Sequence, residues 1–139
     1  MSDDVVSRLE AAWYCHKRIE GNLRKIKQLR SLAQSMTPHY SQVPGSGGSK
    51  STMENAVADI VELENDIAEK SRQLRDDFKE AEAIIDSVPD YKQRTVLCYR
   101  YLYFYRWEEI ASDLHYSWAQ VHRFRKNALE YLRQKDDME

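Results

Sequence analysis

The sequence predicts an all-α protein, and three observations carry the prediction. Charged residues make up 32% of the 139 positions while glycine and proline number only 4 and 3, a composition with little in it to interrupt helices. Apolar residues recur at spacings of three and four through two long stretches ahead of residue 89, which is the period of one helix face. A third stretch, residues 107–133, shows the same period on both sides of a short break. The expected architecture is an N-terminal long helical hairpin or coiled coil followed by a helix-turn-helix domain.

The first helix is expected over residues 1–36. Val5, Leu9, Ala12, His16, Ile19, Leu23 and Ile26 form its stripe, and Pro38 stops it, because proline pushes the preceding residue out of the helical region. Residues 37–50, with VPGSGGSK at their centre, read as a flexible linker. GSGGSKST is superficially a phosphate-binding loop, but Lys50 follows Ser49 where that motif needs glycine, and no buried strand feeds it. The linker reading stands.

The second helix is expected over residues 51–87. Ser51 and Glu54 have capping-box spacing at its start. Met53, Val57, Ile60, Ile67, Leu74, Phe78, Ala81, Ile85 and Val88 hold a heptad-like register, broken at Glu64 and Ser71. Such a helix is ~50 Å long, more than a compact core of this size covers, so part of the stripe is left for a partner. The stripe has three candidate partners: the other helix of the same chain, which covers most of it, a second copy of the chain, or another protein. A homodimer through the N-terminal helices is expected because many helix-turn-helix proteins read paired half-sites as dimers.

Residues 88–135 form the C-terminal domain and 136–139 an acidic tail. Within the domain, Ile110, Ala111 and Leu114 make one stripe, His115, Tyr116 and Ser117 interrupt it, and Val121, Phe124, Ala128 and Leu132 resume it. Two helices therefore meet at a tight turn. Ser117 caps the second, with Gln120 completing a capping box. If the apolar set faces the core, Ala119, His122, Arg123, Lys126, Asn127 and Glu130 point outward. A helix whose first turns carry small, polar and cationic groups suits the major groove of duplex DNA.

Charge is distributed to match. Residues 1–90 carry twelve Lys/Arg and sixteen Asp/Glu, residues 91–135 carry nine and four, and Asp136, Asp137 and Glu139 close the chain, for a net charge of −2. The positive charge that phosphate binding requires is concentrated around the helix-turn-helix.

Residues 87–133 resemble the fourth region of bacterial sigma factors and the phage late-transcription regulators of the ArpU/RinA type. The matching positions are Arg100-Tyr101, Glu109-Ile110-Ala111, Leu114, Ser117, Val121, and Ala128-Leu129 with Leu132. The sigma pattern has glycine in the inter-helix turn and Ser or Thr capping the first helix, where this chain has His115 and Trp107. His tolerates the left-handed conformation better than most residues. Trp107 forfeits a cap worth ~1 kcal/mol, which apolar burial offsets. These departures point to the phage-regulator variant, and the Gly-rich interruption extends the similarity over most of the chain.

The resemblance implies a phage- or prophage-encoded transcription regulator that binds duplex DNA sequence-specifically. Arg123 is the first choice for guanine contact, and Gln120, His122, Lys126 and Asn127 are expected to meet DNA, with Trp118 and Ala119 at the groove entrance. Arg106 and Arg125 are assigned to phosphates, Arg125 lying nearer the buried face. RNA polymerase is a further expected partner. Two alternatives are a small terminase-like subunit that marks phage DNA for packaging, and an interaction module acting on RNA polymerase or a sigma factor.

Tyr91, Tyr99, Tyr101, Tyr103, Phe104 and Tyr105 crowd the segment before the motif. Such aromatics are able to stack unpaired bases, but the helical spacing of Val96, Leu97, Tyr101 and Phe104 favours packing against the motif. Tyr103 and Tyr105 are placed to donate to phosphates. His16, His39, His115 and His122 show no metal-ligand spacing among themselves or with the cysteines, and no nucleophile and base pair is apparent. Neither catalysis, metal nor cofactor is expected. Cys15 and Cys98 read as reduced thiols. With no signal peptide and no apolar run near the ~20 residues that span a bilayer, the expected location is the cytoplasm, that of the bacterial host if phage encoded, with no membrane contact.

Overall fold

The computed structural model describes residues 2–40 and 47–138, with side chains described over 4–34 and 52–138. The protein is all-α, as the sequence predicts. Among the described residues the elements are α1 (Ser2–Tyr40), α2 (Gly47–Asp86), α3 (Tyr91–Tyr101), α4 (Trp107–Leu114) and α5 (Trp118–Met138), with no strand. None of these helices is long and apolar enough to cross a membrane.

The long helices reach further than the sequence indicates. α1 runs through Pro38 to Tyr40 and α2 begins at Gly47, so the ends of the 37–50 linker are helical and its middle, 41–46, lies outside the described residues. Proline holds φ near the helical value, and the bias it puts on the preceding residue is a preference that the helix overrides here. Ser51 is consequently inside α2 and not its cap.

The chain forms two compact units, one of residues up to Cys15 and from Gln73 onward, the other of His16–Arg72. In the second unit α1 and α2 lie side by side. Asn22, 5% exposed, donates from Nδ2 to Asp66 Oδ2 at 2.6 Å, and Arg18 Nε donates to the same oxygen at 3.2 Å. Ile26, one turn on from Asn22, is buried, as is Ala56 on α2. Leu23 and Val57, assigned by their spacing to the core stripe, are instead 53% and 54% exposed. An α-helix drifts against a strict seven-residue repeat, so the line of contact passes through Asn22 and Ile26 and leaves Leu23 outside it.

The first unit holds the larger core. Val5 and Leu9 of α1, Ala81 and Ile85 of α2, Leu97 and Tyr101 of α3, and Ala128, Leu129 and Leu132 of α5 are buried together with Val88. A smaller cluster joins Val96 of α3, Ile110 of α4 and Val121 of α5, with Phe124, Trp107 and Leu114 packed on it. α5 thus spans both clusters with one face, which fixes what its other face presents.

Local chemistry terminates each element. Ser87 Oγ donates to the Ile84 carbonyl at 2.6 Å as α2 ends, and Arg94 Nη1 donates to the carbonyls of Val88 and Pro89 at 2.8 and 3.0 Å. Asp90 caps α3 by accepting from the Gln93 amide at 3.0 Å. After α3 the backbone turns through Phe104, whose φ is 63°, an uncommon conformation for a bulky residue. Its ring packs against Phe78 at 5.6 Å between centroids, which holds the loop that leads into α4.

Candidate nucleic-acid interface

α4, the three residues His115–Ser117 and α5 form a helix-turn-helix. His115 adopts the left-handed conformation at φ 59°, ψ 39°, the role glycine has in the resembling pattern. Its amide donates to the Ser112 carbonyl at 3.4 Å and the Tyr116 amide to the Ala111 carbonyl at 3.0 Å. Those bonds satisfy carbonyls that the helix end leaves open, and they set the angle at which the chain leaves α4.

The start of α5 is fixed from both sides. The Gln120 amide donates to Ser117 Oγ at 3.1 Å, and the Ser117 amide donates to Gln120 Oε1 at 3.0 Å, the reciprocal capping box that the spacing predicts. Gln120 therefore has its carbonyl oxygen engaged and offers its amide nitrogen as the donor toward a ligand.

α4 is capped differently from the sequence reading. Its N-cap is Arg106, not Trp107, and Glu109 Oε1 accepts from the Arg106 amide at 3.0 Å and from Arg106 Nε at 3.1 Å. These two donors hold the Glu109 carboxyl below its ordinary range, the backbone bond first. Arg106 remains largely exposed and able to approach a phosphate, with its charge partly answered by Glu109.

On α5, Ala119, Gln120, Arg123, Lys126 and Asn127 are all exposed, while Val121, Ala128, Leu129 and Leu132 are buried. The first three turns therefore present one polar, cationic strip to solvent. Trp118, the first residue of the helix, is 58% exposed.

His122 and Arg125 stand apart from that strip. His122 packs on Trp118 at 3.7 Å and on Trp107 at 4.7 Å between ring centroids. Its Nε2 is buried with no hydrogen-bond partner. Burial, and then the charges of Arg125 and Arg100, push the imidazole below its ordinary pKa and favour the neutral ring. Arg125 donates from Nε to the Tyr101 hydroxyl at 3.0 Å, and its guanidinium lies 5.5 Å from the Trp107 ring. Both side chains serve first to hold α5 against α3 and α4.

Two features went unread in the sequence. Arg100 lies over the Trp107 ring at 4.7 Å and donates to the Tyr105 carbonyl at 3.1 Å, so Trp107 has cations against it where a cap was expected. Tyr99, Tyr103 and Tyr105 pack edge to face at 5.1 to 6.4 Å, and a hydrogen bond to Asp113, ahead of burial, raises the Tyr99 phenol. The Arg100-Tyr101 pair was the one available signal for the first. Neither relation has a fixed spacing to read.

Among the described residues no three His, Cys, Asp or Glu side chains gather as a metal would require. Cys15 is buried and Cys98 half-buried, and the two form no disulfide. No curated protein and no solved structure matches the chain. Residues 34–133, from the last part of α1 almost to the end of α5, match DUF1492, a family described only as a protein of unknown function, and the chain belongs to that family.

Proposed function

We propose that the protein binds duplex DNA sequence-specifically and regulates transcription, in the bacterial cytoplasm and from a phage or prophage gene as the resemblance implies. The observation that carries this reading is the exposed strip of Ala119, Gln120, Arg123, Lys126 and Asn127 on a helix whose start is held by a capping box. A pre-set helix N-terminus with small and cationic side chains meets the demands of major-groove recognition, where base edges need short reach and phosphates need cations. Nine Lys/Arg against four Asp/Glu over residues 91–135 supply the phosphate term.

A second reading draws on α4, whose exposed face carries Glu108, Glu109 and Asp113. Carboxylates repel phosphates, and such a face suits a basic patch on a protein partner, RNA polymerase being the one the resemblance implies. A second copy of the chain, joined through the N-terminal helices, would give paired half-sites.

Selection of bound sequences from a random duplex pool tests the proposal. An enriched consensus supports it, and a repeated one supports the dimer. No enrichment, with RNA polymerase retained by the immobilised protein, replaces it with the interaction module.

A further inference from the structure

We propose that Trp118 is a specificity-determining residue that reads the 5-methyl group of a thymine in the major groove. This rests on the DNA-binding reading above and names the base feature recognised. Trp118 opens α5 and is followed by exposed Ala119, so the first turn of the helix begins with an apolar edge before the cationic strip. The bases offer donors and acceptors along the major groove, and the thymine methyl is their distinctive apolar group. An apolar edge there has one good partner.

Trp118 is also held for the task. A 58% exposed indole would ordinarily lose rotamer freedom on binding. Here His122 lies against it at 3.7 Å, and Trp107 backs His122 at 4.7 Å. Arg100 in turn lies over Trp107 at 4.7 Å. The ring is thus propped by a column that reaches from α5 through α4 to α3, and His122 is a positioning residue in it. An exposed aromatic with no support would fit this role less well.

The test replaces thymine by uracil, one position at a time, in the duplex enriched by selection, a change that removes only the methyl group. At one thymine, removing it weakens binding of the wild-type protein about fourfold, the effect of burying one such group. Trp118→Ala binds the thymine and uracil duplexes equally, and His122→Ala narrows the ratio while His122→Phe, which keeps a ring in the column, preserves it. Wild-type protein indifferent to uracil at every thymine overturns the inference while leaving DNA binding intact, and that outcome needs no variant to fold. Equal sensitivity in wild type and in a Trp118→Ala protein of native helicity overturns it too. Failure to enrich any duplex overturns the DNA-binding reading and the inference with it.

Discussion

Arg125 donates from Nε to the hydroxyl of Tyr101 at 3.0 Å, which ties α5 to α3 through a residue whose charge alone suggested phosphate. Tyr101 is 3% exposed, so the bond lies at the edge of the core, where an unmade bond is costly. Tyr101→Phe removes the hydroxyl and is expected to lower stability by about 1 kcal/mol. Arg125→Ala should cost more, because the aliphatic stem and the guanidinium beside Trp107 are lost as well. In urea unfolding, the double variant should lose less than the two single variants together. Strict additivity would mean that the bond contributes nothing.

The neutral state of His122 makes stability depend on pH. Its folded pKa lies below the ordinary value through burial first and the two arginines next, so between the folded and the ordinary value the unfolded chain binds more protons than the native one. Stability is then fully present above the ordinary histidine value and falls as pH drops through it toward the lower folded value. Thermal unfolding from pH 7.5 to 5.5 should show Tm declining in the wild type and declining less in His122→Phe. Identical slopes would show that the ring titrates freely in the folded state.

The helix-turn-helix was legible because its signals are local. Ile110, Val121, Ala128 and Leu132 repeat at helical spacing and are buried, and the Ser117–Gln120 box forms as spaced. The column of Trp107, His122 and Trp118 was not legible, since periodicity put His122 outward and gives no sign of a ring drawn over by its neighbours. Leu23 and Asn22 show the same limit in the long helices. A difference of one residue turns the contact line by about 100°, and hydropathy favours the leucine where geometry selected the asparagine.

His115 sits at φ 59° with a side chain that this conformation disfavours. Gly is free there, although it adds entropy to the unfolded chain. His115→Gly is expected to raise stability by about 0.5–1 kcal/mol, and His115→Val to lower it by more, because β-branching makes the left-handed region worse. Chemical denaturation measures both. A destabilised glycine variant would mean that the imidazole itself holds the turn.

In the helical pair, the Asn22 bond, ahead of the bond from Arg18, holds the Asp66 carboxyl below its ordinary range. The stability that follows is present above the ordinary carboxylate value and is lost as pH falls through the lower folded value. Asn22→Ala should therefore shrink the loss of stability on acidification, and Asp66→Asn should remove this share of it. Hydrogen exchange of the α1 amides at pH 6 and pH 3 reads the difference in the unit concerned. Unchanged pH dependence in both variants would sever Asp66 from the stability of the pair.

Arg123 and Lys126 are both exposed on α5, yet they are expected to do different work in the proposed complex. The planar fork of arginine matches two acceptors on a guanine edge, whereas a lysine ammonium serves as a point charge for phosphate. Arg123→Ala should weaken the selected site by about 1–3 kcal/mol and flatten preference at one position. Lys126→Ala should weaken selected and random duplexes alike and lower the slope of log affinity against log salt by about one. Fluorescence anisotropy over a salt series separates the two. A uniform loss for Arg123→Ala with a reduced salt slope would reassign it to phosphate and leave base reading to Gln120 and Asn127, the neighbouring exposed amides on the same strip.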